Sequence, residues 1–289
     1  MTSPRASDHA SIASHLYLPI ALARAVWFAI NRKRLSLRDL RLLLVLVWAS
    51  WPYLLGFRGK LSSPVGTIVV ASRDKLKSAV YGAFKTNFCY MKTLEAILPN
   101  THSFDMVVDV GACVGDLPLT ISNISRRILA VEPGASNFSS LQANIDANEI
   151  CNVDLVRLAA HDVQGPLALG GIDSNRRVLA SDDGEIVEGI QLDQLFSKFG
   201  IERVDLLKID VQGHELHVLR GTQRFLGEKR ARVVIVEAHE ACGVAPREVT
   251  SIMASYGYTK IADCEYIFRQ RQLYFIPDDH EVHHKDDPP

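Results

Sequence analysis

Residues 107–115, VVDVGACVG, constrain the fold of this chain more than any other stretch. Three valines surround Asp109 in a short β-branched run, which is typical of a strand covered on both faces of a parallel sheet. In the D-x-G-x-x-x-G spacing that follows, Gly111 permits a sharp turn against a ligand, and Gly115 permits the next helix to pack close to the strand. The stretch therefore predicts a strand, a turn and a helix that together hold a cofactor.

The turn lacks one glycine of the dinucleotide-binding fingerprint. Cys113 stands where G-x-G-x-x-G has the glycine that lies against a pyrophosphate. S-adenosylmethionine has no phosphate, so this turn favours it over a nicotinamide or flavin dinucleotide.

Two further strands are predicted downstream, each followed by a carboxylate. Residues 126–133, RRILAVEP, place Glu132 at the end of the second strand, where it can accept both ribose hydroxyls of an adenosine, and Pro133 fixes the start of the next helix. A third strand over 153–160 is followed by Asp162, which can meet an adenine amino group; an ordinary turn residue is the alternative.

The fourth and fifth predicted strands also carry polar groups to their ends. VDLLKID ends in Asp210, and ARVVIVEAH ends with Glu237 and His239. In an open α/β sheet, ligands bind outside the carboxyl ends of the strands. The carboxylates expected at that edge are Asp109, Glu132, Asp162, Asp210 and Glu237.

Five segments carry a family resemblance. VVDVGACVGD, AVEP, LQANIDAN, LLKIDVQGHELHVLRG and VVIVEAH, in this order and spacing, resemble the FkbM-type family of S-adenosylmethionine-dependent methyltransferases over roughly residues 65–276. The resemblance implies an α/β, class I (Rossmann-like) fold: a mostly parallel seven-stranded sheet with helices on both faces. It also implies O-methylation of a hydroxyl on a sugar, glycan, lipid-linked glycan or secondary metabolite. Gln212 departs from the glutamate common in the family, so no base role is assigned to it.

Methylation of an alcohol requires a group that removes the hydroxyl proton. Asp210 is the first candidate, followed by His214, Glu215, Glu237 and His239. For Glu215 the alternative is a helix N-terminal charge, and for His239 a packed, hydrogen-bonded histidine. A divalent metal shared by Asp210, Glu237 and His239 would rest only on their expected proximity, so no metal is predicted. The candidate cofactor-binding residues are Asp109, Gly111, Ala112, Gly115, Glu132, Pro133, Ala160 and Asp162.

Two other classes of function use the same features. A nicotinamide-dependent oxidoreductase would use the same sheet and the same acidic contact to a ribose. A non-catalytic, membrane-associated scaffold could retain the fold without the chemistry.

Length and charge divide the 289 residues into three parts. We expect a basic, apolar helical extension over 1–60, a catalytic domain over 61–277 and a disordered tail over 278–289. The net charge of −1 hides an excess of positive charge in the extension. Its apolar stretches 16–30 and 42–57 flank a basic segment, and each is shorter than the roughly 20 residues of a membrane-spanning helix. They predict peripheral contact with an anionic membrane, or helices packed on the catalytic domain or on a second subunit.

Cysteine usage and the remaining composition limit the cellular compartment and the partners that we expect. The five cysteines show no C-x-x-C spacing, which favours a cytoplasmic protein, peripheral at the inner face of a membrane if the extension binds there. No basic and aromatic surface indicates nucleic acid. The expected partner is a small-molecule or glycan acceptor, with a homo-oligomer left open.

Residues 164–189, rich in Gly, Asp and Ser, predict a turn-rich insert near the substrate entrance.

Overall fold

The computed structural model describes residues 59–63, 66–70, 75, 78, 90–98, 101–171, 177–178, 184–265 and 270–279. The predicted extension up to residue 58 and the tail from residue 280 lie outside the described residues. Among the described residues, no helix has the length and apolar character needed to cross a membrane.

Strands and helices alternate along the described chain, as the sequence predicts for an α/β protein. The strands are β1 (Gly59–Ser63), β2 (Gly66–Val70), β3 (Phe104–Val110), β4 (Ser125–Val131), β5 (Val153–Val156), β6 (Ala159–Ala160), β7 (Gly165–Gly170), β8 (Arg177–Val178), β9 (Glu185–Ile190), β10 (Val204–Ile209), β11 (Ala231–His239), β12 (Tyr258–Glu265) and β13 (Gln270–Pro277). The helices are α1 (Lys92–Ile97), α2 (Asp116–Ile121), α3 (Ala135–Ala147), α4 (Leu192–Phe199), α5 (Glu215–Arg220), α6 (Gln223–Gly227) and α7 (Pro246–Ser255).

The central sheet has seven strands in the order β12-β13-β11-β10-β3-β4-β5. Strands β11, β10, β3, β4 and β5 are mutually parallel, whereas β13 is antiparallel to both of its neighbours. The carboxyl ends of the five parallel strands therefore meet at one edge. The chain order of these strands reverses between β3 and β10, so the ends of these two strands form the switch point at which open α/β sheets bind ligands.

Both faces of this sheet are buried, which explains the apolar runs of its strands. Along β3 the side chains alternate: Val107 packs with Leu206 of β10 and with α1 and α2 on one face. Val108 packs on the other face with Leu207 of β10 and with α4 to α7. The predicted sheet with helices on both faces is thus confirmed.

The predicted third strand over 153–160 is wrong, because the structure divides it in two. Arg157 is exposed between the two parts, and its guanidinium donates to the carbonyl of Pro133 and to the carboxylate of Glu185. The chain leaves the central sheet there, and β6 joins a separate four-stranded sheet of order β6-β9-β7-β8. Residues 164–189, predicted to be a turn-rich insert, contribute most of the other three strands of this sheet. The expectation of an insert made of turns is therefore corrected.

An antiparallel hairpin, β1–β2, starts the described chain. It is held to α3 through two asparagines: Thr67 N–H donates to Asn148 Oδ1 and Val69 N–H to Asn144 Oδ1, each at 2.7 Å. The hairpin crosses the domain boundary that we predict at residue 60.

Candidate active site

A buried ion pair lies at the switch point. Lys208 on β10 is the register partner of Asp109 on β3, and its Nζ lies 2.8 Å from Asp109 Oδ1. The same Nζ is 3.7 Å from Asp210 Oδ2, so one ammonium group joins two carboxylates. Burial raises the pKa of Asp109 although the charge of Lys208 opposes the shift. Asp109 Oδ2 is buried without a hydrogen-bond partner in the described part of the chain.

Gly111 is required by the backbone around it. Its φ is +82°, and a Cβ at this position would lie 1.9 Å from the carbonyl oxygen of Asp210. Both the left-handed conformation and the close approach exclude a side chain. The turn after β3 and the loop after β10 are therefore packed directly against each other.

The carboxylate of Glu132 accepts three hydrogen bonds. Its Oε1 accepts from Gly134 N at 3.0 Å and Asn137 Nδ2 at 3.2 Å, and its Oε2 accepts from Cys113 N at 2.9 Å. Burial raises the pKa of Glu132 to about 7, against the lowering effect of these hydrogen bonds. A carboxylate offers about four acceptor positions, so one position on Oε2 remains for a ligand hydroxyl.

The other predicted cofactor-binding residues divide into two groups. Ala112 is buried within the turn after β3. Gly115 leaves space for Leu141 of α3, because a Cβ at position 115 would lie 2.6 Å from Leu141 Cδ1. Pro133 follows Glu132 directly. Ala160, by contrast, is buried in the hydrophobic core, and Asp162 binds neighbouring histidines.

The residues around this turn fit S-adenosylmethionine. Asp109 Oδ2 and the remaining position on Glu132 Oε2 are buried acceptors, and the cofactor carries an ammonium group and ribose hydroxyls as donors.

A second set of polar groups lies at the ends of β10 and β11, beside the turn. One ligand-type atom from each of Asp210, Glu237 and His239 lies within 4.8 Å of the others. Gln212 Nε2 is 3.1 Å from Asp210 Oδ1 and 2.8 Å from His239 Nε2. Gln212, to which the sequence assigns no role, therefore bridges the first candidate base and the histidine.

Glu215 holds both the loop after β10 and the histidine. Its side chain is completely buried, and its Oε1 accepts from Val211 N at 3.3 Å, from Gly213 N at 3.1 Å and from His239 Nδ1 at 2.7 Å. These contacts hold the loop and the His239 ring in place. Glu215 Oε2 is buried without a hydrogen-bond partner in the described part of the chain.

Glu237 is also buried, and its Oε2 accepts a hydrogen bond of 2.9 Å from the hydroxyl of Tyr90. Sequence reasoning missed Tyr90 because it lies 147 residues away in the chain and belongs to no motif. It missed Lys208 as well, although a lysine in an otherwise apolar buried strand is a usable signal.

The charge of His239 is set by its acidic surroundings. Burial lowers its pKa, but the hydrogen bond to Glu215 and the charges of Glu237, Glu215 and Asp210 outweigh burial and raise the pKa to about 9. With the Gln212 amide nitrogen facing Nε2, the ring holds its proton on Nδ1. Uptake of a second proton on Nε2 requires the amide to turn its oxygen towards the ring, since an imidazolium can only donate.

His214 is the predicted catalytic residue that lies apart from this group. Its ring is 5.6 Å from that of His161 and 5.4 Å from that of His217, and its Nε2 is 3.0 Å from the carbonyl of Val178. His161 and His217 are absent from the predicted site, because they lie on separate elements that only the fold brings together.

The sheet order, the glycine turn and the acceptors beside it define a class I, S-adenosylmethionine-dependent methyltransferase. The family described as "Methyltransferase FkbM domain" matches residues 109–260, more than half of the chain, so the chain belongs to this family. The family and cofactor expected from the sequence are confirmed, and neither the oxidoreductase nor the scaffold is favoured.

Three relatives are also methyltransferases by name. The chain is 27% identical to "Hexuronic acid methyltransferase AglP" of Haloferax volcanii, over 62% of this chain and 76% of the relative. It is 26% identical to "31-O-demethyl-FK506 methyltransferase FkbM" of Streptomyces tacrolimicus, over 68% and 87%. It is 24% identical to "Methyltransferase sdnD" of Sordaria araneosa, over 62% and 81%.

Two solved structures resemble this chain in their backbone fold, at low sequence identity. A "Methyltransferase FkbM" from Methylobacillus flagellatus KT has 16% identity and a TM-score of 0.47, and the match covers 72% of this chain and 56% of that one. The magnesium protoporphyrin IX methyltransferase ChlM from Synechocystis PCC 6803, solved with bound S-adenosylmethionine, has 13% identity and a TM-score of 0.45, with 70% and 83% covered.

Proposed function

We propose that this enzyme methylates a hydroxyl group on a sugar, glycan, lipid-linked glycan or secondary metabolite. The observation that carries the proposal is the position of Asp210, which lies at the carboxyl end of β10 beside the predicted cofactor turn and retains more exposure than Glu215, Glu237 or His239. The names of two relatives, a hexuronic acid methyltransferase and a 31-O-demethyl-FK506 methyltransferase, support an acceptor of this type.

The proposed roles follow from the contacts. Asp210 accepts the proton of the acceptor hydroxyl while the oxygen attacks. Lys208 Nζ lies 3.7 Å from Asp210 Oδ2 and His239 Nε2 lies 3.7 Å from Oδ1, so these two groups orient the carboxylate. Gln212 holds Asp210 from the loop, and Glu215 orients the His239 ring. When bound, S-adenosylmethionine supplies an activated methyl group.

The proposed cofactor contacts are those of the turn after β3. Asp109 and the backbone at Gly111, Ala112 and Gly115 face the cofactor, and Glu132 Oε2 accepts one ribose hydroxyl. Three donors already occupy Glu132, so a single hydroxyl replaces the two expected from the sequence. Calorimetric titration with S-adenosylmethionine, S-adenosylhomocysteine and NAD tests these contacts, with saturable binding of the first two and none of NAD as the expected result.

The acceptor proposal is tested with a panel of acceptors. Free and lipid-linked uronic acids, neutral glycans and macrocyclic alcohols are incubated with the full chain and the cofactor, and formation of S-adenosylhomocysteine is measured. Mass spectrometry then locates the added methyl group. Transfer to oxygen, lost in Asp210→Asn, supports the proposal, whereas transfer only to amine acceptors would contradict it.

We further propose that residues 1–60 form an anchor at the inner face of a membrane, ahead of a catalytic domain over 61–277 and a tail over 278–289. The support is the basic segment between the two apolar stretches. The full chain should sediment with anionic vesicles and not with neutral ones, and R32Q/K33Q/R34Q should weaken this. Equal sedimentation with both vesicle types would contradict the proposal.

A further inference from the structure

A cluster of three histidines lies apart from the group around Asp210. His161 follows β6, His214 immediately precedes α5 and His217 lies within α5. One ring nitrogen from each lies within 4.8 Å of the other two. The rings of His161 and His217 are stacked, with centroids 4.3 Å apart and an interplanar angle of 17°. Three imidazoles from two elements therefore lie close together, without any role in the proposed methyl transfer.

The carboxylate of Asp162 fixes the tautomers of two of these rings. Its Oδ1 lies 2.8 Å from His161 Nδ1, and its oxygens lie 3.0 Å from His217 Nδ1. Because an ionised carboxylate can only accept, each Nδ1 carries a proton, and in the neutral ring each Nε2 carries the lone pair. Val163 N–H also points at His161 Nδ1, but at 3.4 Å, so the shorter contact to the carboxylate decides the tautomer.

The third ring is fixed by a backbone carbonyl. His214 Nε2 lies 3.0 Å from the carbonyl oxygen of Val178, which accepts the Nε2 proton. The lone pair of His214 is therefore on Nδ1. In each of the three rings, one nitrogen donates to an oxygen and the other is a neutral ligand atom, which is the outer hydrogen-bonding arrangement that orients metal-bound histidines in proteins.

We propose that His161, His214 and His217 bind a divalent transition metal of the zinc type, with Asp162 and the Val178 carbonyl as the groups that orient the ligands. Neutral imidazoles suit such ions, and three protein ligands leave a fourth tetrahedral position for water. Bonds of about 2.0–2.1 Å to zinc place tetrahedral ligand atoms about 3.4 Å apart. Binding would bring nitrogens that now lie within 4.8 Å of one another to this spacing, and the half-exposed His217 ring is the one expected to move.

The ion would join two elements next to the proposed active site. His161 lies on the chain after β6, whereas His214 directly precedes Glu215, whose carboxylate holds His239. A bound ion would therefore fix the start of α5 and, through it, the position of Glu215. In this arrangement Asp162 orients the ligands instead of contacting adenine, the role that the sequence assigns to it.

The test is a titration of the full chain, stripped of metal with a chelator, with Co²⁺ and then with Zn²⁺ in competition. Visible d–d absorption of tetrahedral Co²⁺ reports the coordination, and calorimetry gives the affinity. A variant H280Q/H283Q/H284Q removes the histidines of the tail as alternative ligands. We expect one saturable equivalent in both the wild-type and this variant, and a Zn²⁺-dependent rise in Tm.

Variants distinguish the proposed site from the other cluster. His217→Gln, at a half-exposed position, should abolish the Co²⁺ spectrum, and Asp162→Asn should weaken Zn²⁺ binding about 10–100-fold. His239→Gln should leave the affinity unchanged. Circular dichroism checks that each variant is folded. Absence of a stoichiometric equivalent, full affinity in His217→Gln, or loss of binding in His239→Gln would each overturn the proposal.

Discussion

Glu215 Oε1 and His239 Nδ1 lie 2.7 Å apart, in a contact from which solvent is excluded on both sides. Glu215 begins α5, directly after the loop that follows β10, and His239 is the last residue of β11, so the contact joins the segments that follow two neighbouring strands. The same contact accompanies full burial of the glutamate of the K-I-D-x-x-G-x-E element, whereas the aspartate of that element, Asp210, retains some exposure.

Asp210→Asn should reduce turnover by about 10²–10⁴-fold, because the amide cannot accept the hydroxyl proton. Affinity for S-adenosylmethionine should change by less than about threefold, since the proposed cofactor contacts lie on β3 and β4. Single-turnover kinetics and calorimetry measure the two quantities. Glu240→Gln, at an exposed position after His239, is the matched control. Full activity in Asp210→Asn would remove this residue from the mechanism.

The raised pKa of His239, about 9 in the folded protein, predicts a pH-dependent stability. The folded pKa lies above the ordinary value of about 6.5, so the folded state binds the proton more tightly than the unfolded state. The resulting stabilisation is complete below pH 6.5 and is lost as the pH rises through 9. It amounts to at most about 3 kcal/mol.

Denaturant unfolding between pH 6 and 10 measures this effect. The free energy of unfolding of the wild-type should fall more steeply with pH than that of His239→Gln, in which the titrating group is absent. Parallel profiles for the two proteins would show that His239 has an ordinary pKa.

Cofactor affinity should depend on the ionisation of Glu132, whose pKa is raised to about 7. The ionised carboxylate accepts a ribose hydroxyl, and protonation below pH 7 removes this acceptor. If only the ionised form binds, the Kd for S-adenosylhomocysteine should rise about tenfold between pH 8 and pH 6. Glu132→Gln supplies the control for any pH dependence that comes from other groups of the protein or the ligand. An identical pH profile in that variant would refute the role.

Gly111→Ala should destabilise the fold by more than about 2 kcal/mol, since φ is +82° and the new Cβ would lie 1.9 Å from a backbone oxygen. Gly200→Ala is the matched control: φ is +63° there, but nothing lies within 4 Å of the added carbon. Its cost should be about 1 kcal/mol. Thermal unfolding compares the two variants, and equal losses would show that the close approach of Gly111 to Asp210 is unimportant.

Tyr90→Phe should cost about 1–3 kcal/mol, because it removes the hydroxyl that donates to the buried Glu237. The phenyl ring is retained, so packing around position 90 is preserved. Chemical denaturation of the wild-type, Tyr90→Phe and the double variant with Glu237→Gln measures the coupling energy. A coupling energy of zero would exclude the hydrogen bond as a stabilising contact.

The sequence predicts the central sheet well because its strands are buried on both faces and end in recognisable polar residues. Asp109, Glu132, Asp210 and His239 lie at or next to the ends of parallel strands, as their positions after apolar runs require. What could not be predicted depends on distant contacts. The division of the predicted third strand at Arg157 follows from the partner Glu185, which lies 28 residues later.

The sequence also could not predict which cluster of side chains each candidate residue joins. His214 and Glu215 are adjacent in the sequence, yet their side chains enter different clusters, one with His161 and His217 and the other with His239. No pattern in a single segment indicates which group a residue joins, because the deciding partners come from β6 and β11.

Gly111 limits which substitutions this enzyme can accept during evolution. Its missing side chain lets the backbone that is proposed to hold the cofactor rest on the carbonyl of the residue proposed to remove the proton. Any substitution that pushes one of these segments must displace the other. Changes in acceptor preference are therefore expected to arise outside these two segments.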